Sequence, residues 1–280
     1  MSPAGARVGV ASRVVSLLVV GLLGLLALYV ALCALLFLVQ RSLIYYPQPG
    51  RAGGAQTIAL AAPDAALNVG VRPHPGHRAV LYFGGNAEDV GGSLPTLAAA
   101  FPDRALFLMH YRGYGGSSGA PSERALVDDA VRLFDHAFAE HPDVTVVGRS
   151  LGSGVAAQLA ARRPVARVVL VTPYDSVEAL AAAQFPFVPV RWLLRDRFDS
   201  ASVAPRIAVP TTLVIAEHDE VIPRANSERL RERFAPGVAS WRVLPRTGHN
   251  SISESPEYLD ALRGDQPART RGLGPLSAHR

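Results

Sequence analysis

Apolar residues open the chain in one block. No charge interrupts the stretch from Val14 to Val39, which lies between Arg13 and Arg41 and is mostly Val, Leu, Ala, Gly and Phe. A helix through it, rising about 1.5 Å per residue, outreaches a hydrocarbon core of roughly 30 Å. The block predicts a transmembrane signal anchor over residues 14–40, preceded by a short basic arm over 1–13. Tyr45 and Tyr46, just beyond it, suit the membrane interface. A cleaved signal peptide is the alternative. Its apolar part spans about 7 to 15 residues, shorter than this run, and no small-residue cleavage pattern leads into a polar start. Lipidation of Cys33 is disfavoured, because Leu32 before it is bulky and the apolar run continues past it.

Beyond the block the pattern changes. Residues 41–56 read as a linker, rich in Pro and Gly from Pro47 onward. Short β-rich runs then alternate with helical stretches, the signature of an α/β fold with a mostly parallel sheet flanked by helices. The predicted strands are Leu67–Arg72, Ala79–Phe83, Ala105–His110, Val144–Gly148, Ala166–Val171, Thr211–Ala216 and Ser240–Leu244. Val127, Val131, Phe134 and Phe138 recur at helical spacing and predict one core-facing stripe. Further helices are expected after Ser150, after Arg224 and from about Glu254. Residues 172–205 carry Phe185, Phe187, Trp192 and Leu193 among prolines and arginines, and read either as a cap insertion over a site or as ordinary surface helices. The domain is expected over 57–263, able to fold from about Pro47, with a disordered tail over 264–280.

Composition narrows the function classes. Hydrophobic residues make up 49% and charged residues 18% of the 280, which excludes a disordered chain. All 28 basic residues are arginine, so neither a Schiff-base lysine nor a phosphate-loop lysine exists. A single cysteine, Cys33, excludes a disulfide framework and a cysteine nucleophile in the body. The net charge of +5 resides at the ends: Arg7 and Arg13 before the apolar block, Arg41 and Arg51 after it, and the tail. The body is near neutral, with no basic stripe for nucleic acid. The flanking arginines nearly balance; the short positive amino-terminal side favours that end inside and the body on the non-cytoplasmic side.

The chemistry centres on Gly148-Arg149-Ser150-Leu151-Gly152. A β-rich run leads into it and a small-residue helix leads away, the strand–turn–helix context of a nucleophile elbow. A sharp turn there exposes the Ser150 hydroxyl, and the helix start offers N–H groups to a developing oxyanion. A serine nucleophile needs a base, and the base an orienting acid. Asp219, just past the strand Thr211–Ala216, is the chosen acid, with Glu217, Glu220 and Asp175 as rivals. His249, in the turn after the last strand, is the chosen base. The backbone N–H of Leu151 is one oxyanion donor, and the loop Gly84-Gly85-Asn86 is placed to supply a second. His74 and His77 have a metal-like spacing but flank Pro75-Gly76 with no clear third ligand, and read as loop residues.

From about Val80 to Ile252 the chain resembles the α/β-hydrolase superfamily. More narrowly, it is similar to membrane-anchored α/β-hydrolase-domain proteins of the serine-aminopeptidase-like branch. The loop Tyr111-Arg112-Gly113-Tyr114-Gly115-Gly116-Ser117-Ser118-Gly119 carries that likeness. The resemblance implies Ser150 as nucleophile, Asp219 as acid, His249 as base and Asn86 as the second oxyanion donor. It also marks two departures: Gly84 in place of a histidine and His110 in place of an aspartate. The implied activity is hydrolysis of carboxylic esters, acyl or lipid-type, without cofactor or metal. Amide or thioester substrates, and a catalytically silent module tethered to the membrane, are the alternatives.

Overall fold

A computed structural model describes residues 3–50 and 56–264, the side chains of 3–12, 14 and 15 excepted. Helix α1, Pro3–Ile44, takes in the apolar block and the expected basic arm from Pro3 on. Ser16–Ile44 has a mean hydropathy of 2.9 and is almost wholly exposed, so this helix is long and apolar enough to cross a bilayer.

The body is an eight-stranded sheet in the order β1-β2-β4-β3-β5-β6-β7-β8. Its strands are β1 Gln56–Ala62, β2 Ala65–Arg72, β3 Arg78–Phe83, β4 Ala105–Met109, β5 Asp143–Arg149, β6 Arg167–Val171, β7 Thr211–Ala216 and β8 Ala239–Leu244. The pairs β1·β2 and β2·β4 are antiparallel; from β4 through β8 every pair is parallel. The fold is thus the expected α/β class.

The parallel strands are apolar on both faces because both faces are covered. On β3, Leu81 and Phe83 join one core with α3 (Glu123–Phe138) and α4 (Leu151–Ala160). Val80 and Tyr82 join the opposite core with α2 (Leu94–Ala100) and α9 (Tyr258–Arg263). Of the expected stripe, Val131, Phe134 and Phe138 face the first core and Val127 is buried, and the Ser122 hydroxyl caps that helix by accepting from the Ala125 N–H. Helix α8, Arg224–Arg231, follows β7. The segment 172–205 carries three short helices, α5 Val177–Gln184, α6 Val190–Leu193 and α7 Ser200–Val203.

Three expectations need revising. Strand β1 was not foreseen: it hairpins onto β2 through the two-residue loop Pro63-Asp64, with Asp64 at a φ of 58°. The helix expected from Glu254 begins only at Tyr258, after a 3₁₀ turn at Ile252–Glu254, since Pro256 cannot continue a helix. The expected linker is docked for much of its length. Helix α1 runs through Ile44, Tyr45 is buried in the core, and the Gly115 N–H donates to the carbonyl of Gln48. Residues 51–55, and the tail expected to be disordered from 265 on, lie outside the described residues.

Candidate active site

Strand order reverses between β3 and β5: β3 continues to β4 on one side, β5 to β6 on the other. Ligands of open α/β sheets gather at such a switch point, beyond the carboxyl ends of the strands. The loop Gly84–Asn86 leaves β3 there, and Ser150 leaves β5.

Ser150 has a φ of 50° and ψ of −118°, a region an L-residue occupies only when its surroundings hold it. Its N–H donates to the Val171 carbonyl at 2.9 Å, and its own carbonyl accepts from the Ser153 N–H and hydroxyl. Gly152 is required by close approach: a Cβ there would collide with the carbonyl of Phe83. The elbow thereby packs α4 directly against the end of β3.

The His249 Nε2 lies 3.0 Å from Ser150 Oγ, and its Nδ1 lies 2.9 Å from each carboxylate oxygen of Asp219. The His249 and Asp219 side chains are almost wholly buried. Asp219 Oδ1 also accepts from the backbone N–H groups of Val221 and Ile222, which fix its orientation. The rival acids are engaged elsewhere. Asp175 pairs with Arg229 at 2.7 Å and accepts from Asn226. Glu217 accepts from the Arg246 N–H. Glu220 accepts from the His249 N–H at 3.0 Å, a bond that holds its carboxyl below the usual range.

Around the second donor loop, Glu88 does what the local sequence pattern did not reveal. Its carboxylate accepts from the Gly85 N–H (2.8 Å), the Tyr82 hydroxyl (2.6 Å), the Ser93 hydroxyl (2.6 Å) and the Arg149 guanidinium (3.3 Å). The Gly85 N–H is therefore occupied, whereas no acceptor among the described residues meets the N–H of Asn86 or Leu151. A Cβ at Gly84 would lie 2.6 Å from Val90 Cγ1 and 3.1 Å from the Glu88 carboxyl, so Val90 and Glu88 together fill the space a side chain at 84 would need. The one sequence cue to Glu88 was an acid three residues beyond a glycine turn.

The tyrosine-rich loop supports the same turn from below. Tyr111 donates to the Gly84 carbonyl at 2.8 Å, and Tyr114 to the Asn86 carbonyl at 2.7 Å. Burial pushes the Tyr114 hydroxyl up to about 12, so it stays protonated as a donor. Arg112 bonds Asp129 of α3 through two nitrogens, fastening the loop. His110 is buried with its ring against Gly115, and burial lowers its pKa against a smaller opposing pull from Asp89.

The foot of the long helix reaches this site as well. The Asn86 side chain donates to the Ile44 carbonyl at 3.1 Å, and the Tyr46 N–H bonds the Tyr114 hydroxyl and the Asn86 carbonyl. Ser150 and His249 open into a cleft of about 890 Å³ whose walls include Leu43, Ile44, Leu180 and Val221. His74 and His77 sit in the β2–β3 loop, at the opposite end of the sheet from Ser150. Among the described residues, no three His, Cys, Asp or Glu side chains gather as a metal ion would require.

Comparison with known proteins agrees with this architecture. A sequence profile described as alpha/beta hydrolase fold matches residues 79–204. The chain is 33% identical over 243 residues to an uncharacterized protein of Mycobacterium tuberculosis strain H37Rv, covering 80% of this chain and 86% of that one. It is 32% identical over 200 residues to the alpha/beta hydrolase domain-containing protein aho-3 of Caenorhabditis elegans, covering 69% of this chain and 59% of the relative. Among solved structures, an esterase of Pyrococcus furiosus superposes with a TM-score of 0.63 at 15% identity, over 78% of this chain and 97% of that one, a likeness of fold.

Proposed function

The chain belongs to the α/β-hydrolase family, and from that premise we propose that it is a membrane-anchored serine hydrolase that cleaves carboxylic esters of acyl or lipid type. The observation that carries the reading is the unbroken chain of contacts from Asp219 through His249 to Ser150. In the proposed reaction His249 Nε2 takes the Ser150 proton as Oγ attacks the ester carbonyl. Asp219 holds the ring by its Nδ1–H and stabilises the imidazolium. The N–H groups of Leu151 and Asn86 receive the oxyanion. The C–O bond to the alcohol breaks, and His249 returns its proton to that leaving oxygen. A water then gives its proton to His249 and attacks the acyl-enzyme; the acid leaves and Ser150 regains its proton.

Anchoring is part of the same reading. Helix α1 exposes Leu17, Leu18, Leu22 and Leu25, an apolar surface that water does not tolerate at this extent and a bilayer covers. The test is labelling of the full-length chain in detergent with a fluorophosphonate, read by intact mass. One adduct is expected, lost in Ser150→Ala while the circular dichroism spectrum is kept. An adduct that persists in the variant moves the nucleophile elsewhere, and a folded wild type that takes no label makes the chain a tethered, silent module.

A further inference from the structure

Beside the Ser150 cleft lies a second cavity of about 560 Å³. One wall is helix α1, with Leu36, Phe37 and Leu43; the other is the α5–α6 segment, with Ala181 and Val188. The two cavities adjoin, since Leu43, Ile44, Val177, Leu180 and Val221 border both. An apolar passage thus runs from the proposed nucleophile toward the membrane helix.

The passage points into the bilayer. The Tyr29 hydroxyl donates to the Phe187 carbonyl at 2.9 Å, so the tip of the α5–α6 segment lies along α1. A hydrocarbon span starting just past Arg13 needs about 20 residues and ends near Ala34. Tyr29 is then about 8 Å inside the boundary, and Phe187 hangs beside it. Phe187 and Trp192 are 87% and 83% exposed, a waste of apolar surface in water but suited to the acyl–headgroup boundary. The catalytic cleft, unlike the second cavity, is also lined by Gln48 and Asn250, polar groups suited to an alcohol that departs into water.

Resting on the serine-hydrolase reading, we infer that this groove binds the long acyl chain of a single-chain ester resident in the membrane, admitted sideways from the leaflet between α1 and α5. The alcohol part faces the polar rim. A free fatty-acyl glycerol and an acylated peptide present the same chain, and the groove reads only that chain.

The test uses the full-length protein in phosphatidylcholine nanodiscs with butanoyl, octanoyl and hexadecanoyl glycerol esters, and a hexadecanoyl-peptide ester beside them. Wild type should show kcat/KM rising with chain length, by up to about fourfold per added methylene that enters the groove. Ala181→Trp and Leu36→Trp, filling the groove from opposite walls, should each lower the hexadecanoyl-to-butanoyl ratio at least about tenfold. Equal activity on the peptide and glycerol esters would support a groove that reads the chain alone; activity confined to one of them would name that source, lipid or acylated protein, as the substrate. An unchanged ratio in a labelled, folded variant overturns the groove while leaving the hydrolase intact; absence of fluorophosphonate labelling in wild type overturns both. Independently of any groove variant, Trp192 emission in a Trp241→Phe background should be quenched by lipids brominated on their tails, and unquenched emission overturns sideways entry.

Discussion

Glu88 takes four donors on one carboxylate, and the consequences are local and measurable. Glu88→Gln offers an N–H₂ where an acceptor is required and strands Arg149, whose side chain is largely buried. The expected loss is about 3 kcal/mol, near the low end for breaking a buried pair, read as a shift of the urea midpoint. With the Gly85 turn loosened, ester turnover should also fall, by about tenfold or more if an oxyanion donor is misplaced. His110 makes a second residue-level prediction. Burial lowers its pKa, so the unfolded chain binds the proton more readily than the folded one. The stability this residue contributes is whole above the unfolded value of about 6.5 and drains away as pH falls from there through the depressed folded value. His110→Gln should flatten the melting-temperature loss between neutral and mildly acidic pH; equal slopes in the two proteins would show that His110 is not the group responsible. Ser150, Asp219 and His249 were legible because each follows a strand end in a short, recognisable turn. Glu88 was not, because its partners Tyr82, Ser93 and Arg149 are gathered by tertiary packing that no spacing rule describes.

At the scale of elements, seven strands were readable from their apolar runs because both sheet faces are buried. Strand β1 escaped because it is an Ala-rich edge strand: Ile58, Leu60 and Ala62 alternate toward the core only half-buried, and Ala59 and Ala61 between them blur the contrast in the sequence. The junction of α1 with the domain escaped for another reason. Its polar residues looked like membrane flanks, yet they form a latch. Arg41 and the Tyr45 hydroxyl both bond Asp196, the Gln40 side chain accepts from the Arg195 N–H, and Arg195 lies over the Phe37 ring. Asp196 is buried, and burial together with its carboxylate drives the Tyr45 hydroxyl far above its ordinary pKa. A chain starting at Pro47 loses these partners and uncovers apolar surface under Tyr45. It should be less stable than one starting at Leu38 by about 3 kcal/mol. Coincident urea curves for the two would show the latch to be without energetic weight.

Across the whole molecule, one sheet carries the candidate site at its switch point while one helix is long and apolar enough to cross a bilayer, and both meet at Ile44 and Asn86. The near-neutral body and arginine-flanked helix agree with that division of labour. The latch leaves few free joints between helix and catalytic cleft, so the domain has no tether on which to swing. A hydrolase on a flexible leash samples a volume; one clamped to its mast samples a plane. On the membrane-anchored esterase reading proposed above, turnover should therefore follow the mole fraction of ester in the surrounding leaflet, and diluting the substrate with inert phospholipid should slow it even when total ester per volume is held constant. Replacing residues 45–50 by a Gly/Ser run of the same length should weaken that dependence. On that proposed reading, crowding and lipid mixing take the place that bulk concentration holds for an enzyme free in solution.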